Sequence, residues 1–174
     1  MWGTGGIHWR LGSQFFGGNR WPNECQAVEF KDGVLSIISR ALGDHRLQFN
    51  SSDGGETFGS ARIVKGPMEP IFGCEGSILL SHSAESQLDY LLLTTPDDPV
   101  LRTRLRMFMS DNGGKDWYSA ATLWNGASGY SSMAHVPAES NSTVGILFEV
   151  AEHPQIVMEP DAIVFSTLKT PRLH

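Results

Sequence analysis

The chain has 174 residues, of which 40% are hydrophobic and 18% are charged, and this composition is typical of a globular protein with one domain-sized core. Its formal net charge of -6 and its lack of a basic block exclude a nucleic-acid footprint and argue against attraction to a membrane surface. The longest apolar runs, such as YLLL at 90–93, are too short to span a bilayer, and the opening residues lack a signal-peptide pattern. We therefore expect neither a nucleic-acid partner nor a transmembrane segment.

Short alternating or apolar runs recur along the chain, with turn signals between them. A lead-in at 1–22 contains one predicted outer strand, IHWRLG. The first group, at 23–66, comprises CQAVEF, VLSIIS, RLQFNS and TFGSARIV, which are four predicted strands of a meander. The second group, at 73–125, comprises SILLSH, YLLLTT, RLRMFMS and WYSAATLW, and the third, at 128–174, comprises YSSMAHV, STVGILFEV and AIVFSTL. Helical periodicity is absent, so the sequence predicts an all-β protein.

One turn is repeated: SSDGGETF at 51–58 returns as SDNGGKDW at 110–117. Three interpretations compete: a calcium loop, a catalytic carboxylate, or a turn whose side chains bond to their own backbone. A calcium loop needs carboxylates at alternate positions and a distal bidentate Glu, and the second copy replaces Asp53 with the neutral Asn112. Asp, Asn and Ser readily cap nearby amides and Gly supplies positive φ, so the pattern favours the self-bonding turn.

The repeated turn joins the third predicted strand to the fourth in both complete groups. This regular placement favours four-stranded propeller blades, whereas the alternative, a β-sandwich, gives no reason for it. Three blades do not close a ring, because propellers use about four to eight blades. We therefore expect a partial β-propeller of about three antiparallel blades, whose open blade edges would permit self-association.

The cysteines and histidines give no metal-site pattern. Cys25 and Cys74 lie far apart without a CxxC motif, so we expect a free buried pair, and the six histidines are scattered. No metal ligand set is predicted. Sequons at Asn50 and Asn141 would matter only if the chain enters the secretory route.

Further motifs stand in a fixed order around the repeated turn, which has the form S-x-D-x-G-x-T-[WF]. They are NECQAVEF with DGVLSIISR at 23–40, GCEGSIL at 73–79, RTRLRMFMS at 102–110, SGYSSM at 128–133 and GILFE at 145–149. In this combination the chain resembles the sialidases (neuraminidases) from about residue 21 onward. These are six-bladed propellers in which a turn of this form is called an Asp box. The resemblance implies the C-terminal half of an exo-α-sialidase, which needs no cofactor and releases terminal sialic acids from glycoproteins, glycolipids or oligosaccharides with retention. GYSS and the sequons resemble lysosomal or secreted members more than cytosolic ones.

The resemblance assigns a tyrosine nucleophile and its carboxylate base to Tyr130 and Glu24. The chemistry agrees, because a neutral phenol escapes the repulsion that a carboxylate nucleophile would meet at an anomeric carbon bearing a carboxylate. Without the family, Tyr130 reads as a packed aromatic and Glu24 as a solvated strand-end carboxylate. A pair of Glu24 with Glu29 is disfavoured, since residues five apart on a regular strand point to opposite faces; Glu29 is interpreted as structural.

The resemblance also implies arginines that hold the substrate carboxylate, a role that suits the bidentate guanidinium. By motif these are Arg40 and Arg102. Arg102, Arg104 and Arg106 alternate along one predicted strand, so spacing alone does not choose among them. The resemblance selects Arg102, because it stands eight positions before Ser110 of the repeated turn, as the arginine of the sialidases stands before theirs. Arg46 is a rival to Arg40 but lies inside the next predicted strand.

Glu149 matches the sialidase glutamate that supports the first arginine of a triad. That arginine, and the aspartate that serves as general acid/base, have no counterpart in this sequence. Glu75 stands where family members commonly carry Gln. The lack of this arginine and this aspartate leads us to expect that the 174 residues alone are inactive or nearly so. The alternative is a non-catalytic Asp-box fragment, or a truncated isoform, that binds a glycan or a protein.

Overall fold

A computed structural model describes residues 10–82, 89–136, 143–157 and 159–169. Within these ranges the chain forms one 3-10 turn, no α-helix, and ten strands: β1 Cys25–Glu29, β2 Leu35–Ser39, β3 Leu47–Ser51, β4 Arg62–Ile63, β5 Ser77–His82, β6 Asp89–Pro96, β7 Thr103–Ser110, β8 Tyr118–His135, β9 Thr143–Ala151 and β10 Ala162–Lys169. The predicted all-β class is confirmed. No helix in the described part of the chain is long and apolar enough to cross a membrane.

The strands form two antiparallel sheets, in the orders β1-β2-β3-β4 and β10-β9-β8-β7-β6-β5. The first sheet is the meander predicted for the first group. The second sheet joins the second and third predicted groups, because β8 is continuous: its first half pairs with β7 and its second half with β9. Of the outer strand predicted at IHWRLG, residues 7–9 lie outside the described ranges, as does Asn141, and residues 10–12 form no strand.

Both copies of the repeated turn connect the third and fourth strands of their groups, as predicted. Asp53 accepts hydrogen bonds from the backbone N–H of Thr57 at 2.9 Å and from its hydroxyl at 2.6 Å. In the second copy, Asn112 Oδ1 accepts from the N–H groups of Lys115 and Asp116 at 3.1 and 3.0 Å. The Asp box therefore closes on its own backbone, and an amide can replace the carboxylate at its centre.

The strand register places these turns and the motif-selected residues at opposite ends of the sheets. In the first sheet Cys25 pairs with Ser39 and Ser39 with Leu47, while at the other end Leu35 pairs with Ser51, where the Asp box begins. Glu24 and Arg40 thus flank the end away from the box. Likewise, Arg102 precedes β7 and the second box follows it.

Apolar packing and one buried ion pair hold the two sheets together. Ile38 and Val64 pack with Ile78, Leu91, Leu93, Phe108 and Trp117 of the second sheet or its turn. Full burial of one such aliphatic side chain contributes about 1.5–3 kcal/mol. Between the sheets, Arg46 Nε bonds Glu69 Oε1 at 2.6 Å, and both side chains are at most 1% exposed. Arg46 is therefore a structural residue and not the rival of Arg40 that its position in the sequence allowed.

The two cysteines are free, as predicted, but only Cys74 is buried. Burial raises the pKa of its thiol to about 12, so this residue stays protonated and inert. The expectation that both cysteines are buried is wrong for Cys25, because the first residue of β1 belongs to an edge strand and is exposed.

Candidate functional site

Glu24 and Arg40 are neighbours because they continue the antiparallel ladder of β1 and β2 by one position. The Arg40 N–H donates to the Glu24 carbonyl at 2.8 Å. Their side chains meet as well, with Arg40 Nη1 2.7 Å from Glu24 Oε2. Arg40 Nε and Nη2 both donate to the Phe72 carbonyl, at 3.1 and 2.9 Å, which fixes the plane of the guanidinium. Nη1 consequently faces the centre of the site.

Tyr130 lies in a β-bulge of β8. Ser128 pairs with Val150 and Ser131 pairs with Phe148, so Gly129 and Tyr130 together oppose the single residue Glu149. The bulge frees the Tyr130 N–H from the ladder, and Glu149 Oε2 accepts it at 2.9 Å. This arrangement turns the phenol toward the first sheet, and it explains why Glu149 belongs to the site.

The Tyr130 hydroxyl reaches across the sheets and donates to Glu24 Oε1 at 2.6 Å. Burial opposes ionisation of Glu24, but hydrogen bonds from Tyr130 and Arg40 outweigh it and lower the pKa of this carboxyl. The same hydrogen bond to Glu24, together with burial, raises the pKa of Tyr130. The pair therefore consists of a neutral phenol and an ionised carboxylate already in position to accept its proton.

Arg102 lies beside the Tyr130 ring, with its guanidinium carbon 5.4 Å from the ring centroid. Its side chain is buried; Nη2 donates to the Gly73 carbonyl at 3.4 Å, and Nε has no hydrogen-bond partner among the described residues. A buried guanidinium with an unused donor is suited to an anion.

The two neighbouring arginines are directed elsewhere. Arg104 Nη2 lies 3.7 Å from Asp98 Oδ2, and Arg106 Nη1 lies 3.4 Å from Asp97 Oδ2. Arg104 has a φ of 56°, which interrupts the alternation that the sequence suggested for the three arginines. The three arginines thus differ in their contacts: Arg102 lies against the Tyr130 ring, whereas Arg104 and Arg106 pair with aspartates.

Glu75 is the site residue for which sequence reasoning gave no role. Its Oε2 accepts the Ser131 N–H at 3.0 Å, so it touches the residue after Tyr130. Burial raises the pKa of this carboxyl. The signal in the sequence was the negative charge of Glu75 within GCEGSIL, a motif that is expected to lie near a pocket for an anion.

All five predicted residues, Glu24, Arg40, Arg102, Tyr130 and Glu149, therefore meet in one place. The arrangement brings a neutral phenol, the carboxylate that accepts its hydrogen bond and two guanidinium groups together. Among the described residues, no group of three His, Cys, Asp or Glu side chains is placed to hold a metal ion.

Comparisons with known proteins agree with this architecture. The chain is 29% identical over 164 residues to Sialidase-2 of Cricetulus griseus and 28% identical over 163 residues to Sialidase-2 of Mus musculus, covering 87% of this chain in each case. It spans 42% of the length of these relatives. No protein-family model matches the chain.

Solved structures show the same fold. The Hadza microbial sialidase Hz136 superimposes with a TM-score of 0.68 at 29% identity, covering 85% of this chain and 27% of that one. A Trypanosoma rangeli sialidase in complex with sialic acid gives a TM-score of 0.68 at 21% identity, covering 96% of this chain and 26% of that one. The described sheets thus correspond to part of a sialidase propeller.

Proposed function

We propose that the chain, which is similar to sialidases along most of its length, carries the nucleophile and part of the carboxylate-binding set of an exo-α-sialidase acting on terminal sialic acids. The observation that carries the proposal is the 2.6 Å hydrogen bond between the Tyr130 hydroxyl and Glu24, with Arg40 and Arg102 beside it. A packed structural tyrosine has no need of a carboxylate base and two arginines around its hydroxyl.

In the proposed reaction the Tyr130 oxygen attacks the anomeric carbon while Glu24 accepts the phenol proton. The glycosidic C–O bond breaks, and its oxygen leaves with a proton from a general acid. Water then attacks the anomeric carbon from the face that the leaving group vacated and gives its proton to the conjugate base of the general acid. The bond to the Tyr130 oxygen breaks and Glu24 returns the proton to that oxygen, so two inversions give retention. The neutral phenol suits this substrate because the anomeric carbon bears a carboxylate that would repel an anionic nucleophile.

Arg40 and Arg102 would bind the substrate carboxylate. Arg40 Nη1 lies 3.4 Å from the Tyr130 hydroxyl, close to where the anomeric centre must come. Arg102 Nε is buried and has no hydrogen-bond partner among the described residues. A bound anion would accept a hydrogen bond from it and so remove the cost of an unsatisfied buried donor. Glu149 would support the nucleophile by holding the Tyr130 N–H.

We expect the 174 residues by themselves to bind a sialic acid but to hydrolyse sialosides little or not at all. The sequence offers no motif match for the first arginine or for the acid/base aspartate. Groups of these two kinds each contribute about 10²- to 10⁴-fold in rate.

The test is binding of N-acetylneuraminic acid to the chain, followed by NMR, alongside hydrolysis of a fluorogenic sialoside. Arg40→Ala and Arg102→Ala should each abolish or strongly weaken binding, Tyr130→Phe should retain it, and Arg104→Ala serves as the matched control. Equal binding by all four variants would contradict the assigned site. Turnover that disappears in Tyr130→Phe would contradict the expected inactivity while supporting the nucleophile.

A second candidate is a fragment that binds sialylated glycans without hydrolysis, as a truncated isoform or as one part of an assembly. It is favoured by the lack of a motif match for the first arginine and for the acid/base aspartate. Sugar binding with no detectable turnover after prolonged incubation with a sialoside would support this candidate, whereas slow turnover that Tyr130→Phe abolishes would support the first.

The open edge of the second sheet motivates a further part of this proposal, self-association. β10 is an edge strand whose Ile163 and Phe165 are 70% and 61% exposed. Exposed apolar edge strands readily pair with other chains. Light scattering across a concentration series should show dimers or larger species that Phe165→Lys reduces.

A further inference from the structure

Glu75 is fixed in the site by the backbone on both sides of it. A Cβ added at Gly73 would lie 2.7 Å from the Ala41 carbonyl oxygen, and one added at Gly76 would lie 2.4 Å from the Thr94 carbonyl oxygen. Both glycines therefore let this segment lie directly against its neighbours. With the segment held on both sides, the Glu75 carboxylate stays at the Ser131 N–H, 3.0 Å away.

The charged groups around Glu75 are Arg46, just before β3, Glu24, just before β1, and Glu149 in β9. Burial is the main cause of its raised pKa; the Ser131 N–H and Arg46 act against the rise, and the carboxylates of Glu24 and Glu149 add to it. Arg46 is a weak counter-charge, because it already bonds Glu69 at 2.6 Å. Glu75 forms no salt bridge within the described part of the chain.

The remaining charged groups of the site are Arg40 and Arg102. Arg40 is paired with Glu24 at 2.7 Å, and Arg102 contacts the Tyr130 ring. Ionised Glu75 therefore adds a third carboxylate to a site that has two arginines. A substrate carboxylate would be the fourth.

We propose that Glu75 is a proton-linked specificity residue: the site binds an anionic sugar with Glu75 protonated, so binding takes up one proton and is stronger in acid than at neutral pH. The inference rests on the proposed function, since it requires that the ligand be an anion held by these arginines. Protonated Glu75 removes one negative charge while its carbonyl oxygen still accepts the Ser131 N–H. It acts on the ligand through charge, and on Tyr130 through the adjoining Ser131.

The experiment measures the dissociation constant of N-acetylneuraminic acid for the 174-residue chain between pH 4.5 and 7.5. The ligand carboxyl stays ionised throughout, since an α-carboxyl titrates near pH 3.5 or below. We expect the wild-type chain to bind at least about tenfold more weakly at the upper pH, as befits one like charge a few ångströms away. Glu75→Gln should bind with a nearly flat profile, and the exposed Glu29→Gln should behave as wild type.

A second readout follows the Glu75 carboxyl carbon by NMR in a chain uniformly labelled with ¹³C and ¹⁵N, assigned through the backbone of the wild-type chain. Saturating ligand should raise the pKa of Glu75, because uptake of a proton on binding and a raised pKa are the same linkage. A pKa that ligand leaves unchanged or lowers would overturn the proposal, even if Glu75→Gln proved unstable.

The failures are distinguishable. If wild type and Glu75→Gln bind with the same pH dependence, the role of Glu75 is overturned and the proposed function stands. If neither binds the sugar at any pH, the proposed function fails and the role of Glu75 fails with it.

Discussion

The hydroxyl of Tyr130 lies 2.6 Å from Glu24 Oε1, although 106 positions separate the two residues in the chain. The contact joins the bulge of β8 in one sheet to the residue before β1 in the other. The hydrogen bond lowers the pKa of Glu24 and raises that of Tyr130, so it favours an ionised carboxylate and a neutral phenol. The proton therefore stays on Tyr130 in the resting pair. If Tyr130 is the nucleophile, as we propose, the proton moves to Glu24 only when the phenol oxygen begins to form another bond.

Tyr130→Phe is expected to raise the pKa of Glu24. The substitution removes a hydrogen bond that favours the ionised carboxylate, while burial, which opposes it, remains. NMR of a ¹³C-glutamate-labelled chain measures the shift. Tyr118→Phe, at the other end of β8, is the control and should leave the Glu24 resonance in place, because the ionisable neighbours of Tyr118 are Asp111 and Tyr90. An unchanged pKa in Tyr130→Phe would mean that the hydrogen bond does not form in solution.

Asp53→Ala is expected to lower the thermal stability of the chain at neutral pH more than Asp53→Asn does. The carboxylate holds three groups of its own turn, donated by Ser51 and Thr57, and Asn112 performs the same backbone role in the second box. These bonds lower the pKa of Asp53 from 3.8 to about 2. A depressed pKa contributes stability above the unfolded value, which is lost as the pH falls.

The difference between the wild type and Asp53→Asn should therefore shrink between about pH 4 and pH 2. Thermal melts followed by circular dichroism at several pH values measure this. Asp111→Asn, at an exposed carboxylate beside the second box, is the control. A gap between wild type and Asp53→Asn that stays constant over this range would show that ionisation of Asp53 does not stabilise the turn.

The hairpin of the first sheet shows what the sequence could predict. The alternation of β1 and β2 and the short turn between them fix a register that places Glu24 beside Arg40, so one local feature builds half of the site. The Asp boxes were equally local, because their side chains bond within a few residues. In both cases the information lies in neighbouring positions of the chain.

The continuity of β8 could not be predicted, because WNGASG carries the Asn-Gly and Ser-Gly signals of a turn. Pairing with β7 as far as Ala127 and with β9 from Ala127 onward overrides the local preference. The roles of Arg46 and Glu75 were missed for a related reason. Their partners, Glu69 and Ser131, are chosen by how the sheets pack, and no local pattern encodes that choice.

Arg46→Met is expected to destabilise the chain by about 3–5 kcal/mol, since it leaves the fully buried Glu69 without its counter-charge. Urea denaturation measures the loss. Arg10→Met, at an ion pair with Glu56 in which both side chains are about half exposed or more, should change the free energy of unfolding by about 1 kcal/mol or less. The double variant Arg46→Met with Glu69→Leu should recover much of the stability, because it removes both buried charges. No recovery would mean that Arg46 stabilises the fold mainly through its bonds to Cys74 and Thr95.

Gly76→Ala is expected to destabilise the chain and to disturb the site together. Its Cβ would lie 2.4 Å from the Thr94 carbonyl oxygen and 2.6 Å from Arg46 Nη2, so either the backbone after Glu75 or the Arg46 pair must move. Overpacking of this kind costs about 1–3 kcal/mol. Gly59→Ala is the matched control, because its nearest contact, the Asn50 carbonyl oxygen at 3.7 Å, is ordinary. Urea denaturation gives the stability, and the Ser131 amide resonance reports whether Glu75 has shifted. A stable Gly76→Ala chain with an unmoved Ser131 resonance would show that this segment adapts without cost, and that Glu75 is not held as the structure implies.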